Sequence, residues 1–66
     1  MKNKLLIELQ KIIDRYIEDN NYAEKLKQEI SPLKIKYVLG ELEKNKIKEY
    51  SSEDREIIKN IYFYFC

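Results

Sequence analysis

Along residues 2–20 the apolar positions Leu5, Leu6, Leu9, Ile12, Ile13, Tyr16 and Ile17 fall on one stripe at about 100° per residue, which predicts an amphipathic helix. Asp19-Asn20-Asn21 ends it, because short polar side chains compete for backbone hydrogen bonds and accept turn conformations. A shorter second helix is predicted over residues 22–29, with Tyr22, Ala23, Leu26 and Ile30 inward. Ser31-Pro32 reads as a helix start, the hydroxyl capping free N–H groups and the proline occupying the first helical position, where no donor is lost. The third helix then covers residues 32–44. It buries Ile35, Val38, Leu39 and Leu42 and turns Leu33, Lys36, Tyr37, Gly40, Glu41 and Lys44 outward.

Residues 45–50 form a connector, and the segment after it admits two readings. Ser51-Ser52-Glu53-Asp54 has the form of a capped helix start with acidic residues where the helix dipole favours them. Ile57, Ile58, Ile61, Tyr64 and Phe65 would be the inward stripe of that fourth helix. Against this, residues 61–65 are aromatic-rich with high β-propensity, and residues 47–50 could pair with them as a strand. Capping and the 3.6-residue period agree with each other, so helix is preferred. The fold class expected is all-α: one compact domain over residues 1–66, three to four helices in a helix-turn-helix-like arrangement. The alternative is a winged helix with a short C-terminal β-wing. The expected core is Leu5, Leu9, Ile12, Ile13, Tyr16, Leu26, Ile35, Leu39, Leu42, Ile57, Ile58 and Ile61.

Gly40 is out of place in a helix, where glycine costs about 1 kcal/mol relative to alanine. Either another backbone approaches closely there, or it is a tolerated surface glycine.

Composition narrows the function more than it narrows the fold. A chain of 66 residues with 44% apolar content can form a core. At this size, however, folding hides only about 60% of the chain's surface, so stability is marginal without a staple. One cysteine and no histidine provide neither an internal disulfide nor a Cys/His zinc set. A homodimer or a larger protein partner is therefore expected. Cys66 lies too late for a prenylation signal and reads as an unpaired thiol in a reducing cytoplasm. The longest apolar run, residues 61–66, is far short of a membrane span, and Glu8 interrupts Leu5-Leu6-Ile7 before it could form a signal-peptide core. A cytoplasmic protein without membrane contact is expected.

Catalysis is not expected. Histidine, the commonest acid–base group, does not occur, and the cluster Glu53, Asp54, Glu56 is explained by its place at a helix start. The single glycine excludes a Gly-rich phosphate loop, and Asp19-Asn20-Asn21 lacks the ligand alternation of a calcium loop. No cofactor, metal or small-molecule substrate is expected.

Charge is distributed unevenly. Residues 1–24 carry net −1, residues 25–48 net +4 and residues 49–66 net −2. The basic middle holds Lys25, Lys27, Lys34, Lys36, Lys44, Lys46 and Lys48, the footprint of a phosphate-contacting surface or simply a solvated face. Candidate nucleic-acid contacts are Lys34, Lys36, Tyr37, Lys44, Lys46 and Lys48. Lysine outnumbers arginine 11 to 2, which argues against extensive direct reading of guanine.

Residues 30–47 open with Ser31, carry Ile35, Leu39 and Leu42, and end in a Glu43-Lys44 tail leading to Ile47. This stretch resembles the recognition-helix segment of small helix-turn-helix and winged-helix regulators. Ser52-Glu53-Asp54-Arg55 with the apolar run after it is similar to the wing of the MarR type of winged-helix repressor. The chain departs from that pattern in two places. Two residues fewer separate Leu26 from Ser31, and Lys46 stands where the family has a glycine leading into the wing. The resemblance implies a DNA-binding regulator whose third helix lies in the major groove, with Lys34, Lys36, Tyr37 and Lys44 toward DNA and lysine–phosphate contacts positioning the protein.

A rival reading needs no DNA. Ile7 lies opposite the apolar stripe of the first helix and Phe63 opposite that of the last, and six Tyr with two Phe are numerous for so short a chain. Aromatic residues concentrate in protein interfaces. Ile7 and Phe63 are the candidate interface residues of a small helical modulator or inhibitor of the phage or mobile-element type.

Overall fold

The stripe at the start of the chain becomes α1 (Lys2–Tyr16), the element against which α2 (Asn20–Gln28), α3 (Ile35–Asn45) and α4 (Ser52–Phe65) all pack. These elements come from a computed structural model that describes residues 2–65; the thiol assigned to Cys66 lies outside the described residues. Leu9, Ile12, Ile13, Tyr16 and Ile17 of the α1 stripe are buried, together with Ala23 and Leu26 of α2, Ile35, Val38, Leu39 and Leu42 of α3, and Ile58 and Ile61 of α4. The radius of gyration, 10.6 Å, equals the value of about 11 Å expected for a close-packed chain of this length, so the four helices share one core.

Local chemistry sets the helix boundaries. Asp19 starts α2 rather than merely ending α1: its Oδ1 accepts the backbone N–H groups of Asn21 (2.9 Å) and Tyr22 (3.3 Å). The expected helix start at Ser31-Pro32 is corrected. Lys34 N–H donates to the Ser31 carbonyl at 3.0 Å, a turn with Pro32 at its second position, and α3 begins at Ile35 without a side-chain cap. Proline favours that turn position as strongly as the first position of a helix, so the dipeptide fits both.

At the far end Ser51 caps α4, its Oγ accepting Asp54 N–H at 3.2 Å and its carbonyl accepting Arg55 N–H at 2.8 Å. Residues 61–65 continue that helix, and no strand occurs among the described residues. The β-wing alternative is therefore corrected, and Ser52-Glu53-Asp54-Arg55 forms the first turn of α4 instead of a wing. Packing of Ile58 and Ile61 into the core overrides the β-propensity of the aromatic run.

Several expected inward residues lie at the margin: Leu6, Tyr22, Ile30 and Phe65 are only partly buried, and three more border one seam. Leu5 and Ile57 are only partly buried and Tyr64 is 55% exposed, because nothing covers the seam where the start of α1 meets the end of α4. Gly40 is the tolerated kind of glycine: a Cβ built there meets nothing within 4 Å.

Candidate functional site

Three of the five candidate lysines of the basic segment are paired with neighbouring carboxylates. Lys34 pairs with Glu29 at 2.7 Å, Lys44 with Glu41 at 3.6 Å, and Lys46 with both Glu43 (2.9 Å) and Glu49 (3.2 Å). Hydrogen bonds to Glu29 and to Glu43 hold the Lys34 and Lys46 ammonium groups above their ordinary pKa. Lys46 is turned inward over the Tyr50 ring at 4.4 Å, and Lys48 stands 5.6 Å from the Tyr16 ring. The six residues proposed for nucleic acid thus do not form one free cationic face. Lys36, Tyr37 and Lys44 share the outer side of α3, and Lys36 has no ion pair among the described residues.

Ile7 and Phe63 each neighbour a residue of one groove, though neither lines it. α1 and α4 run antiparallel, so the beginning of α1 lies beside the end of α4, and between them is a groove of about 370 Å³ lined by Lys4, Leu5, Glu8, Ile57, Asn60 and Tyr64. Residues three apart are neighbours on a helix surface. Ile7 therefore flanks Lys4 on the α1 side and Phe63 flanks Asn60 on the α4 side, with Ile7 51% and Phe63 82% exposed. The Phe63 ring meets Tyr64 edge-on, with centroids 5.4 Å apart. With Tyr62 also exposed, the last turn of α4 presents three consecutive aromatic side chains around its circumference.

The opposite end of the α1–α4 seam carries chemistry that was misread from the sequence. Asp54 is buried, at 3% exposure, instead of sitting freely at a helix start as Glu53 and Glu56 do. It accepts hydrogen bonds from the Arg15 guanidinium and from Tyr16 Oη, the latter at 2.7 Å. Burial alone would push its carboxyl up. Arg15, Tyr16 and Ser51 outweigh that and hold it below the usual carboxylate value. Tyr16 Oη in turn accepts Ser51 N–H at 2.9 Å, and the Tyr16 carbonyl accepts Ile47 N–H at 2.9 Å. Tyr16 thereby fastens both the connector and the start of α4. No buried side-chain polar atom of the cluster lacks a partner, so it acts as a clasp between the two helices.

A second cleft, about 650 Å³, is lined by Ile17, Glu18, Asp19, Tyr22, Glu41, Asn45 and Ile47. Its polar groups are largely engaged. Asp19 caps α2, and Tyr22 Oη donates to Glu41 at 2.7 Å while accepting from Asn45 Nδ2 at 3.3 Å. Burial first, then Glu41, pushes the Tyr22 phenol up to about 12. No helix of the described residues is long and apolar enough to cross a membrane. Comparison with protein-family models, with curated proteins and with solved structures returns no match.

Proposed function

We propose that this chain is a small, non-catalytic helical module that binds protein through the aromatic last turn of α4, with Phe63 as the anchor. The observation that carries this reading is the exposure of Tyr62, Phe63 and Tyr64 at 44%, 82% and 55%. Phe63 and Tyr64, whose rings meet edge-on, leave on the order of 200–300 Å² of contiguous aromatic surface open, while Tyr62 projects from another side of the helix. Buried aromatic anchors dominate binding energy at interfaces. Arguing in the same direction, three of the five lysines that would have to meet phosphate, Lys34, Lys44 and Lys46, are paired with Glu29, Glu41, Glu43 and Glu49.

The alternative is a helix-turn-helix-like DNA-binding regulator. Lys36, Tyr37 and Lys44 on the outer side of α3, the helix which that reading places in the major groove, favour it. One paired experiment separates the two. Immobilised wild-type chain and its Phe63→Glu variant are compared for capture of cytoplasmic protein, and both are titrated with random-sequence duplex DNA at low salt. Capture that is lost in Phe63→Glu, with weak DNA binding in both, is the expected result. Tight, steeply salt-dependent DNA binding that Phe63→Glu leaves unchanged would replace the module with the regulator.

A further inference from the structure

We infer that the partner seated on this surface is a second copy of the chain, in a two-fold dimer where Phe63 of each protomer enters the α1–α4 groove of the other. This rests on the aromatic-surface reading above and names its occupant.

The first ground is that knob and hole lie side by side on one surface. Phe63 projects at 82% exposure next to Asn60 and against Tyr64, and both of those residues line the groove whose floor is Leu5 and Ile57. A two-fold interface uses one patch on both subunits, so that patch must carry a projection and its receptor together. The groove volume, about 370 Å³, lies within the range of sites that enclose small ligands and can seat an aromatic ring.

Charge supplies the second ground. The α1 rim of the groove carries Lys4 and, four residues on, Glu8, which within its own chain has only a long contact of 3.8 Å to the exposed Lys11. Two copies of α1 crossing antiparallel over a two-fold axis set Lys4 of one against Glu8 of the other, twice. A rim with one cation and one anion in this order is self-complementary, whereas a rim of one sign would repel its own copy.

Area supplies the third. An interface of ordinary size hides about 800 Å² per partner, toward which Phe63 and Tyr64, exposed at 82% and 55%, contribute on this side of α4. The groove floor and the Lys4 and Glu8 stems extend that contribution.

The test is sedimentation equilibrium of the full chain from micromolar to millimolar concentration, with far-UV circular dichroism as the control for folding. Wild type is expected to reach twice the chain mass. Phe63→Glu should weaken association by at least about tenfold at unchanged helicity. Lys4→Glu should weaken it as well, and adding Glu8→Lys to that variant should restore it, a rescue that a folding defect would not produce. A wild type that stays monomeric throughout, a Phe63→Glu variant that still dimerises, or a charge swap that fails to rescue overturns the dimer. If wild type is monomeric yet captures a cytoplasmic protein that Phe63→Glu does not, the second copy is excluded and the aromatic surface stands. If capture is also indifferent to Phe63, both fall.

Discussion

Tyr16 donates its phenolic hydrogen to Asp54 across 2.7 Å, joining the last turn of α1 to the first turn of α4 over 38 positions of sequence. The bond is buried, and the same phenolic oxygen receives Ser51 N–H. Replacing Tyr16 by Phe leaves a carboxylate oxygen and a backbone N–H short of a partner at once. Each such loss costs about 1–3 kcal/mol, so Tyr16→Phe should lower stability by at least about 1 kcal/mol. In a domain this small that corresponds to a fall in Tm of roughly 4–8 °C per kcal/mol, measurable by thermal denaturation. A change under half that size would mean that the clasp does not hold the helices together.

The same carboxylate sets the acid limb of stability. Its folded pKa lies below the ordinary value of 3.8, so the folded chain holds its proton less tightly than the unfolded chain does. The stabilisation is complete above the unfolded pKa and is lost as pH falls through the folded one. Urea midpoints measured from pH 6 down to pH 2 should therefore drop steeply below about pH 4 in wild type. In Asp54→Asn the midpoint should start lower and fall less over the same interval. Equal slopes would show that other carboxylates govern acid unfolding.

At the alkaline end the sign reverses. The folded pKa of Tyr22 is about 12 against an ordinary 10.0, which favours the neutral phenol in the folded chain. Its contribution is fully present below pH 10 and fades as pH rises through the folded value. Burial also holds the Tyr50 phenol above its ordinary value, so spectrophotometric titration should show two phenols ionising late in wild type and one fewer in Tyr22→Phe. A Tyr22 signal at ordinary pH would contradict the bond to Glu41.

Gly40 faces open space within α3, so a methyl group can be added without displacing anything. Gly40→Ala should stabilise the chain by about 1 kcal/mol through helix propensity alone. A destabilised variant would imply that an unseen partner approaches this backbone.

These residues also show how far the sequence could be read. The four helices were legible because each carries an apolar stripe at helical spacing and Ser51 heads a capped start; Asp19 read only as the end of α1, although its side chain caps α2. The start of α3 was not, since Ser31-Pro32 suits a turn as well as a helix. Asp54 read as an ordinary helix-start acid because its partners, Arg15 and Tyr16, lie almost forty residues away, and only packing brings them together. Part of the pairing of Lys44 and Lys46 was within reach: Glu41 and Glu43 stand three residues before them, a spacing that places opposite charges side by side on a helix, whereas Glu49 meets Lys46 from the connector. The pairing of Lys34 with Glu29, five residues apart across a turn, had no such signal. That Ile7 and Phe63 flank one groove followed from the antiparallel meeting of α1 and α4, which neither helix encodes alone.

Those ion pairs make a final prediction, about DNA. A lysine engaged by a carboxylate must give up that partner to meet a phosphate, so the wild-type chain should bind duplex weakly, with a shallow dependence on salt. Replacing Glu29 and Glu43 by Gln releases Lys34 and one of the two carboxylates on Lys46, and raises the formal net charge from +1 to +3. If pairing is what silences the basic segment, Glu29→Gln/Glu43→Gln should bind DNA measurably tighter at low salt. The logarithmic salt slope should steepen by about 0.9 for each phosphate newly neutralised. The comparison is informative because both substitutions leave every lysine in place and neither residue touches the core. A wild type that already binds with the slope of several phosphate contacts, and a variant no steeper, would show that the carboxylates yield readily. The outer side of α3 would then regain its claim to the major groove over the aromatic turn of α4.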